Sequence, residues 1–311
     1  MLKGSSLISP SQLAKFFKST NSRLIAVDAS WYMPNVPENG FLKYCQVRLG
    51  ANSVFFDIDL VKDDSSSFPH MLPSVEKFNK EVSNLGITKE DTLLFYDQQG
   101  IFSAPRALWM FEIFGHDPDK LAIFNTFPNY TQAIGDSNSA LKAQDDIPYL
   151  NTKPVTKPSP FQESDYKSLG IDRTKIISYE ELLSLVEAGQ IGTDFTLIDA
   201  RGLARFTGEA PEPRPGLSSG HVPNAISLPF TELLASDGSY LSQSALIAQF
   251  ESKKIDGSKP IIVMCGTGVT ACVVRTGLQL AGLGSKGIKV YDGSWTEWAQ
   301  RAPESLIVKD I

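Results

Sequence analysis

Apolar residues in this chain come in short unbroken runs separated by stretches of helical character. Leu24-Ile25-Ala26-Val27-Asp28-Ala29, Leu93-Leu94-Phe95-Tyr96-Asp97 and Leu121-Ala122-Ile123-Phe124-Asn125 read as strands, as do Thr196-Leu197-Ile198-Asp199-Ala200, Ile261-Ile262-Val263-Met264-Cys265 and Lys289-Val290-Tyr291-Asp292. Two shorter strands fall at 52–56 and 224–228. Runs apolar on both faces, alternating with helices, indicate a largely parallel sheet covered on both sides. Helix starts are marked twice. Ser9-Pro10-Ser11-Gln12 precedes Leu13, Phe16 and Phe17, and the capping box Ser178-Tyr179-Glu180-Glu181 precedes Leu182, Leu183, Leu185 and Val186. Helices expected at 105–114 and 269–280 end at Gly115 and Gly282, residues suited to a left-handed C-cap.

These elements occur twice in the same order, offset by about 170 residues. A chain of 311 residues exceeds what one core usually supports. The expected fold class is therefore α/β, in two similar domains, each a mostly parallel sheet flanked by helices. The expected boundaries are 1–147, a linker at 148–172 rich in proline (Pro154, Pro158, Pro160), and 173–311. The copies are unequal, because Asp97 stands where the second half has Cys265. A carboxylate cannot carry sulfur. Only the second half is then expected to hold a nucleophile, with the first lending residues to a shared cleft.

Cys265 closes a strand and opens the loop Gly266-Thr267-Gly268-Val269-Thr270-Ala271, after which a helix begins. A thiolate so placed faces free backbone N–H groups and a helix N-terminus, which favour it and any anion formed on it. Covalent sulfur chemistry is the expectation. A phosphatase with such a loop needs Arg six residues after its Cys, where Ala271 sits here.

Composition narrows the rest. The formal charge of −6 comes with no long basic block, which argues against direct nucleic-acid binding. No apolar run is long enough to cross a membrane. Cys45, Cys265 and Cys272 cannot all pair and lack metal-ligand spacing, so no metal, no cofactor and a reduced cytoplasmic setting are expected. The stretch Met1-Leu2-Lys3-Gly4-Ser5-Ser6-Leu7 has no secretory apolar region and is short and Arg-poor for a transit peptide. Cys272 is expected in the core, Cys45 in a polar loop and His221 in a structural position; core packing is the default for Trp31, Trp295 and Trp298, with Trp31 the lesser candidate for the cleft wall. His116, after Gly115, is expected as a charged residue suited to the helix dipole.

The strings Val27-Asp28-Ala29-Ser30-Trp31-Tyr32, Pro69-His70-Met71-Leu72-Pro73, Gly208-Glu209-Ala210-Pro211-Glu212-Pro213-Arg214, Ser219-Gly220-His221-Val222-Pro223 and Tyr291-Asp292-Gly293-Ser294-Trp295 occur with Cys265-Gly266-Thr267-Gly268-Val269-Thr270-Ala271. Together they resemble the tandem rhodanese-domain sulfurtransferases, most of all the 3-mercaptopyruvate sulfurtransferases, including fungal members linked to tRNA thiolation. The resemblance covers nearly the whole chain. It implies two tandem rhodanese-like domains and a Cys265 persulfide that carries sulfur from 3-mercaptopyruvate to a thiol acceptor such as thioredoxin, or to cyanide in vitro, with release of pyruvate.

It further implies that Arg205 and Arg214 hold the donor's carboxylate and carbonyl, as guanidinium suits planar bidentate recognition. Gly266, Gly268, Val269 and Thr270 would form the backbone cradle, and Asp59, His70 and Thr267 a proton relay, with Thr where many relatives have Ser. The rhodanese branch carries cations after its Cys; Gly266 and Thr267 are neutral, which favours a monocarboxylate donor over thiosulfate. The alternatives are a thiosulfate:cyanide sulfurtransferase, a catalytically dead scaffold, which the intact Cys265 loop disfavours, and a protein-to-protein sulfur carrier. The carrier would be loaded by a cysteine desulfurase and would serve a tRNA-thiolation activating protein. A mitochondrial share stays open.

Overall fold

In the computed structural model, residues 6–135 and 150–311 are described. Twelve strands run in chain order as β1 (Ser6–Ile8), β2 (Leu24–Asp28), β3 (Arg48–Leu49), β4 (Ser53–Phe55), β5 (Thr92–Tyr96), β6 (Leu121–Phe124), β7 (Leu150–Asn151), β8 (Ile176–Ile177), β9 (Thr196–Asp199), β10 (Ile226–Ser227), β11 (Ile261–Met264) and β12 (Ile288–Tyr291). The helices are α1 (Leu13–Ser19), α2 (Gly40–Gln46), α3 (Val75–Asn84), α4 (Ala104–Ile113), α5 (Phe127–Gly135), α6 (Tyr179–Glu187), α7 (Leu203–Thr207), α8 (Gln243–Ser252), α9 (Ala271–Leu280) and α10 (Ser294–Arg301).

The first sheet has the order β1-β6-β5-β2-β4 and the second the order β8-β12-β11-β9-β10, all parallel. Position by position the two orders match, so the repeat read from the sequence is a repeat of topology. A small antiparallel pair, β3 with β7, stands apart. The α/β expectation is borne out. The expected boundary at 147/148 and the first residues of the chain lie outside the described residues. From Leu150 on, the connecting segment runs along the first unit, with Val155 N–H donating to Cys45 O and Phe55 N–H to Pro158 O.

Every residue of β2, β5, β6 and β11 is buried. Alternate side chains enter different clusters. Ile25, Val27 and Phe95 of the first sheet share one apolar cluster with Ile198 and Val263 of the second, and with Leu108 of α4 and Val274 of α9. Leu24, Ala26 and Leu94 face an outer layer with Leu13 and Phe127, while Leu197, Ile262 and Met264 face one with Leu182, Trp295 and Trp298. One core therefore runs through the junction of the two units, which fixes the carboxyl ends of β4 and β11 relative to each other.

Ion pairs cross that junction, among them Lys175 of the second unit with Glu112 on α4 at 2.8 Å. Arg106 on α4 meets Asp292 at 2.6 Å, and Arg275 on α9 meets Glu112 on α4 at 2.8 Å. α9 begins two residues later than the spacing predicts, because Gly268 takes φ +77° and holds Val269 and Thr270 in the loop. His116 differs from its expected role. It is 1% exposed, its ring bridges Tyr166 Oη and Asp91 O, and burial pushes its pKa down to about 4. It is neutral at pH 7 and caps nothing by charge.

The folded state holds the His116 pKa below its unfolded value near 6.5, so the unfolded chain binds the extra proton. Its contribution is intact above pH 6.5 and is lost as pH falls toward 4, by roughly 3 kcal/mol in all. Urea unfolding of wild type and His116→Gln should show a difference that shrinks steadily across that window. A difference independent of pH contradicts this account.

Candidate active site

β11 delivers Cys265 to the carboxyl edge of the second sheet, where ligands of open parallel sheets bind. The loop after it is held from behind. Cys265 O accepts the Trp295 N–H at 2.9 Å, and Gly266 O accepts both Thr296 N–H and its hydroxyl at 3.0 and 2.8 Å. Cys265 N–H donates to Ser294 Oγ at 3.1 Å. With those carbonyls turned toward α10, the N–H groups from Gly266 to Thr270 have no acceptor among the described residues. They form the open cradle that an anion on sulfur requires.

The two loop glycines differ. A Cβ on Gly268 would sit 2.8 Å from Arg106 Nη1 and from Asp292 O, so only glycine fits. A Cβ on Gly266 would meet nothing within 4 Å. That space belongs to a cavity of about 220 Å³ whose wall includes Trp31, Phe102, Phe230, Arg205, Arg214 and Cys265. Cys265 itself is 2% exposed and lines this cavity.

The first unit also brings Asp59 and His70 to the same place. Asp57 Oδ1 accepts the Asp59 N–H and shapes the turn after β4. Asp59 Oδ2 takes the indole N–H of Trp31 at 2.8 Å, and its Oδ1 meets His70 Nε2 at 3.0 Å. His70 Nδ1 lies 3.0 Å from Thr267 Oγ1. A carboxylate only accepts, so the proton sits on Nε2 and the Nδ1 lone pair takes the Thr267 O–H. Burial lowers the His70 pKa, and the hydrogen bond from His70 lowers that of Asp59. The resting pair is a neutral imidazole beside a carboxylate.

The two arginines of the cavity wall are not equivalent. Arg205 Nη1 meets Glu212 Oε2 at 3.3 Å. Glu212 is held by Arg201 Nη1 at 2.7 Å, and Arg201 is buried on Asp199 and stacked on Trp295 at 4.0 Å. Arg214 has no hydrogen bond or ion pair among the described residues. Partial burial lowers its pKa, against the pull of Cys265 and Asp59. Of the two arginines lining this cavity, it is the one without a partner among the described residues.

The structure thus brings together Cys265, Asp59, His70, Thr267, Arg205, Arg214 and the loop from Gly266 to Thr270. Sequence reasoning missed Arg106 and Asp292. Arg106 is buried, donates to His70 O and Asp292 Oδ1, and reaches Gly268 O at 3.4 Å; Asp292 Oδ2 takes the Leu72 N–H at 2.7 Å. This pair spans both halves of the site and holds His70 at φ +61°. The available signal was a lone cation near the start of a helix whose following residues, Ala107 to Phe111, are all apolar. Cys272 is buried, with burial pushing its thiol up to about 12, and Cys45 is half-buried on α2 rather than in a loop. Asp97, the counterpart of Cys265, accepts the N–H groups of Phe102 and Ala104 at 2.9 and 2.8 Å and the Ser103 hydroxyl at 2.6 Å. Burial raises its pKa to about 7. No group of three or more His, Cys, Asp and Glu among the described residues is placed to hold a metal ion.

A rhodanese-like domain matches residues 178–301. The thiosulfate sulfurtransferase TUM1 of Saccharomyces cerevisiae is 35% identical over 98% of this chain and 98% of its own length. The chain is a rhodanese-family sulfurtransferase. The rat 3-mercaptopyruvate sulfurtransferase is 35% identical over 97% of this chain and 94% of that protein. The crystal structure of yeast Tum1 superposes with a TM-score of 0.87 at 34% identity, covering 100% of this chain and 99% of that one. The yeast mitochondrial complex I sub-stoichiometric sulfur transferase subunit does so with 0.83 at 42% identity, covering 99% and 100%. Mitochondrial relatives of this sulfurtransferase therefore exist. The expected tandem rhodanese architecture and sulfurtransferase activity are borne out.

Proposed function

We propose that this enzyme takes sulfur from 3-mercaptopyruvate onto Cys265, releases pyruvate and gives the sulfur to a thiol. The observation that carries the donor assignment is the division of charge in the cavity. The loop beside Cys265 bears no side-chain cation, while Arg205 and Arg214 line the same cavity. A donor with one carboxylate besides its sulfur fits that arrangement, and bidentate contact with guanidinium holds it.

In the reaction the Cys265 thiolate attacks the donor sulfur, an S–S bond forms, and the C–S bond breaks to leave the enolate of pyruvate. Thr267 passes the donor's thiol proton to His70 Nδ1, with Asp59 stabilising the imidazolium, and that proton ends on the enolate carbon. The loop N–H groups hold the persulfide anion. Thioredoxin is a suitable acceptor. On a division near 147 and 173, Cys265 and Thr267 belong to the second domain and Asp59 and His70 to the first. The mitochondrial relatives support a mitochondrial pool beside the cytoplasmic one.

Arg214→Ala should raise the donor concentration that half-saturates the single-turnover pyruvate burst about 10- to 100-fold, the worth of a lost charged hydrogen bond. An unchanged half-saturation point sinks the carboxylate assignment. A second reading, a sulfur carrier between proteins, is favoured by the likeness to a complex I subunit. Incubation with a cysteine desulfurase and cysteine, without any small donor, distinguishes it: sulfur on Cys265 supports the carrier, and its absence excludes it.

A further inference from the structure

We infer that a second cavity beside the first seats the sulfur acceptor and selects small thiols that carry carboxylates. The inference rests on the persulfide reading of Cys265 given above. This cavity, about 400 Å³, shares Arg214, Leu217 and Thr296 with the donor cavity and adds Lys62, Ser67 and Gln300 to its wall. The donor, a three-carbon acid, fits the smaller space. The larger one adjoins it and has room for a molecule of tripeptide size.

Its chemistry is that of an anion site. Lys62 and Arg214 both line it, and neither has a hydrogen bond or ion pair among the described residues. No Asp or Glu is in its wall, although the chain carries a formal charge of −6. The nearby carboxylates are engaged elsewhere. Asp59, whose field reaches both cations, takes the Trp31 and His70 N–H groups; Asp64 pairs with Lys77; Asp63 accepts from Ser65. Among the described residues the Ser67 hydroxyl has no partner, and Gln300 spends an amide N–H on Thr296 O while its carbonyl oxygen has none. Two free cations with neutral hydrogen-bonding groups around them recognise carboxylates on an otherwise polar ligand.

The step served there balances without further reagents. The acceptor thiolate attacks the outer sulfur of the Cys265 persulfide. The S–S bond to Cys265 breaks, a new one forms on the acceptor, and the electron pair returns to Cys265 as its thiolate. Arg214 lies at the shared wall, so it faces the donor's carboxylate in the first half and the acceptor's in the second.

The test compares two acceptors, glutathione, with two carboxylates, and dithiothreitol, with none. Lys62→Glu and Ser67→Glu each put an anion in the wall without touching Cys265. Each should raise the KM for glutathione about tenfold and that for dithiothreitol less than twofold. Added salt should raise the wild-type KM for glutathione alone. Equal changes for both thiols, or no change for either, overturn the acceptor site. Mass spectrometry of wild type after 3-mercaptopyruvate alone separates the two readings. Sulfur absent from the Cys265 peptide would refute the persulfide itself, whereas its presence with unselective KM changes refutes only the acceptor site.

Discussion

Cys265→Ser protein mixed with 3-mercaptopyruvate should release no pyruvate above the rate in buffer, and its peptides should carry no added sulfur. The reason lies in the site's economy of nucleophiles. Cys272 is buried, its thiol is pushed up to about 12, and its Sγ hydrogen bonds to Gly268 O, so it cannot substitute. Cys45 is on α2, in the first unit, remote in sequence from the loop. A serine hydroxyl keeps the geometry and the cradle, yet it forms no persulfide. The expected loss is complete rather than graded, because covalent transfer has no partial form. Pyruvate released by this variant at more than about a thousandth of the wild-type rate would remove Cys265 from the mechanism.

Arg106→Met should lower kcat about 100-fold with little change in the donor's KM. Arg106 touches neither donor nor sulfur. It holds His70 O, Asp292 and Gly268 O, and so sets the distance between the relay and the loop. A displacement near 1 Å at reacting groups costs about that factor. On the proposed assignment the donor's carboxylate is held by Arg205 and Arg214, which this change leaves in place, so binding should survive. Removal of one member of a buried ion pair also destabilises, by about 3–5 kcal/mol. Arg106→Met with Asp292→Asn separates the two effects. With no carboxylate left unpaired, part of the stability should return, while kcat stays low. Recovery of kcat along with stability would mean that the pair only supports the fold.

Much of this molecule was legible in its sequence because parallel strands buried on both faces are written as unbroken apolar runs. β2, β5, β6, β9, β11 and β12 announced themselves in this way. The short edge strands β1 and β8 did not, since two or three residues carry no periodicity, and β3 with β7 needs a partner about 100 residues away. The helix at Ser178 was readable from its capping box, which the structure contains. The position of Cys265 followed from strand, glycine and helix in succession. What stayed hidden depends on distance. Nothing local in Arg106 or Asp292 says that they meet across 186 residues, and nothing in Glu212 says that it binds Arg205 while leaving Arg214 free. His116 was misread because its burial comes from Tyr166 and the Asp91 strand edge, far along the chain.

The duplicated loop at Asp97 has a use beyond showing which copy lost sulfur chemistry. Its carboxyl group is built into the fold, seated on the N–H groups of Phe102 and Ala104, with burial raising its pKa to about 7. The first unit is in that sense a standing likeness of the second in its loaded form. One chain therefore displays two stages of a single cycle, a cradle filled for good and a cradle that empties at each turnover.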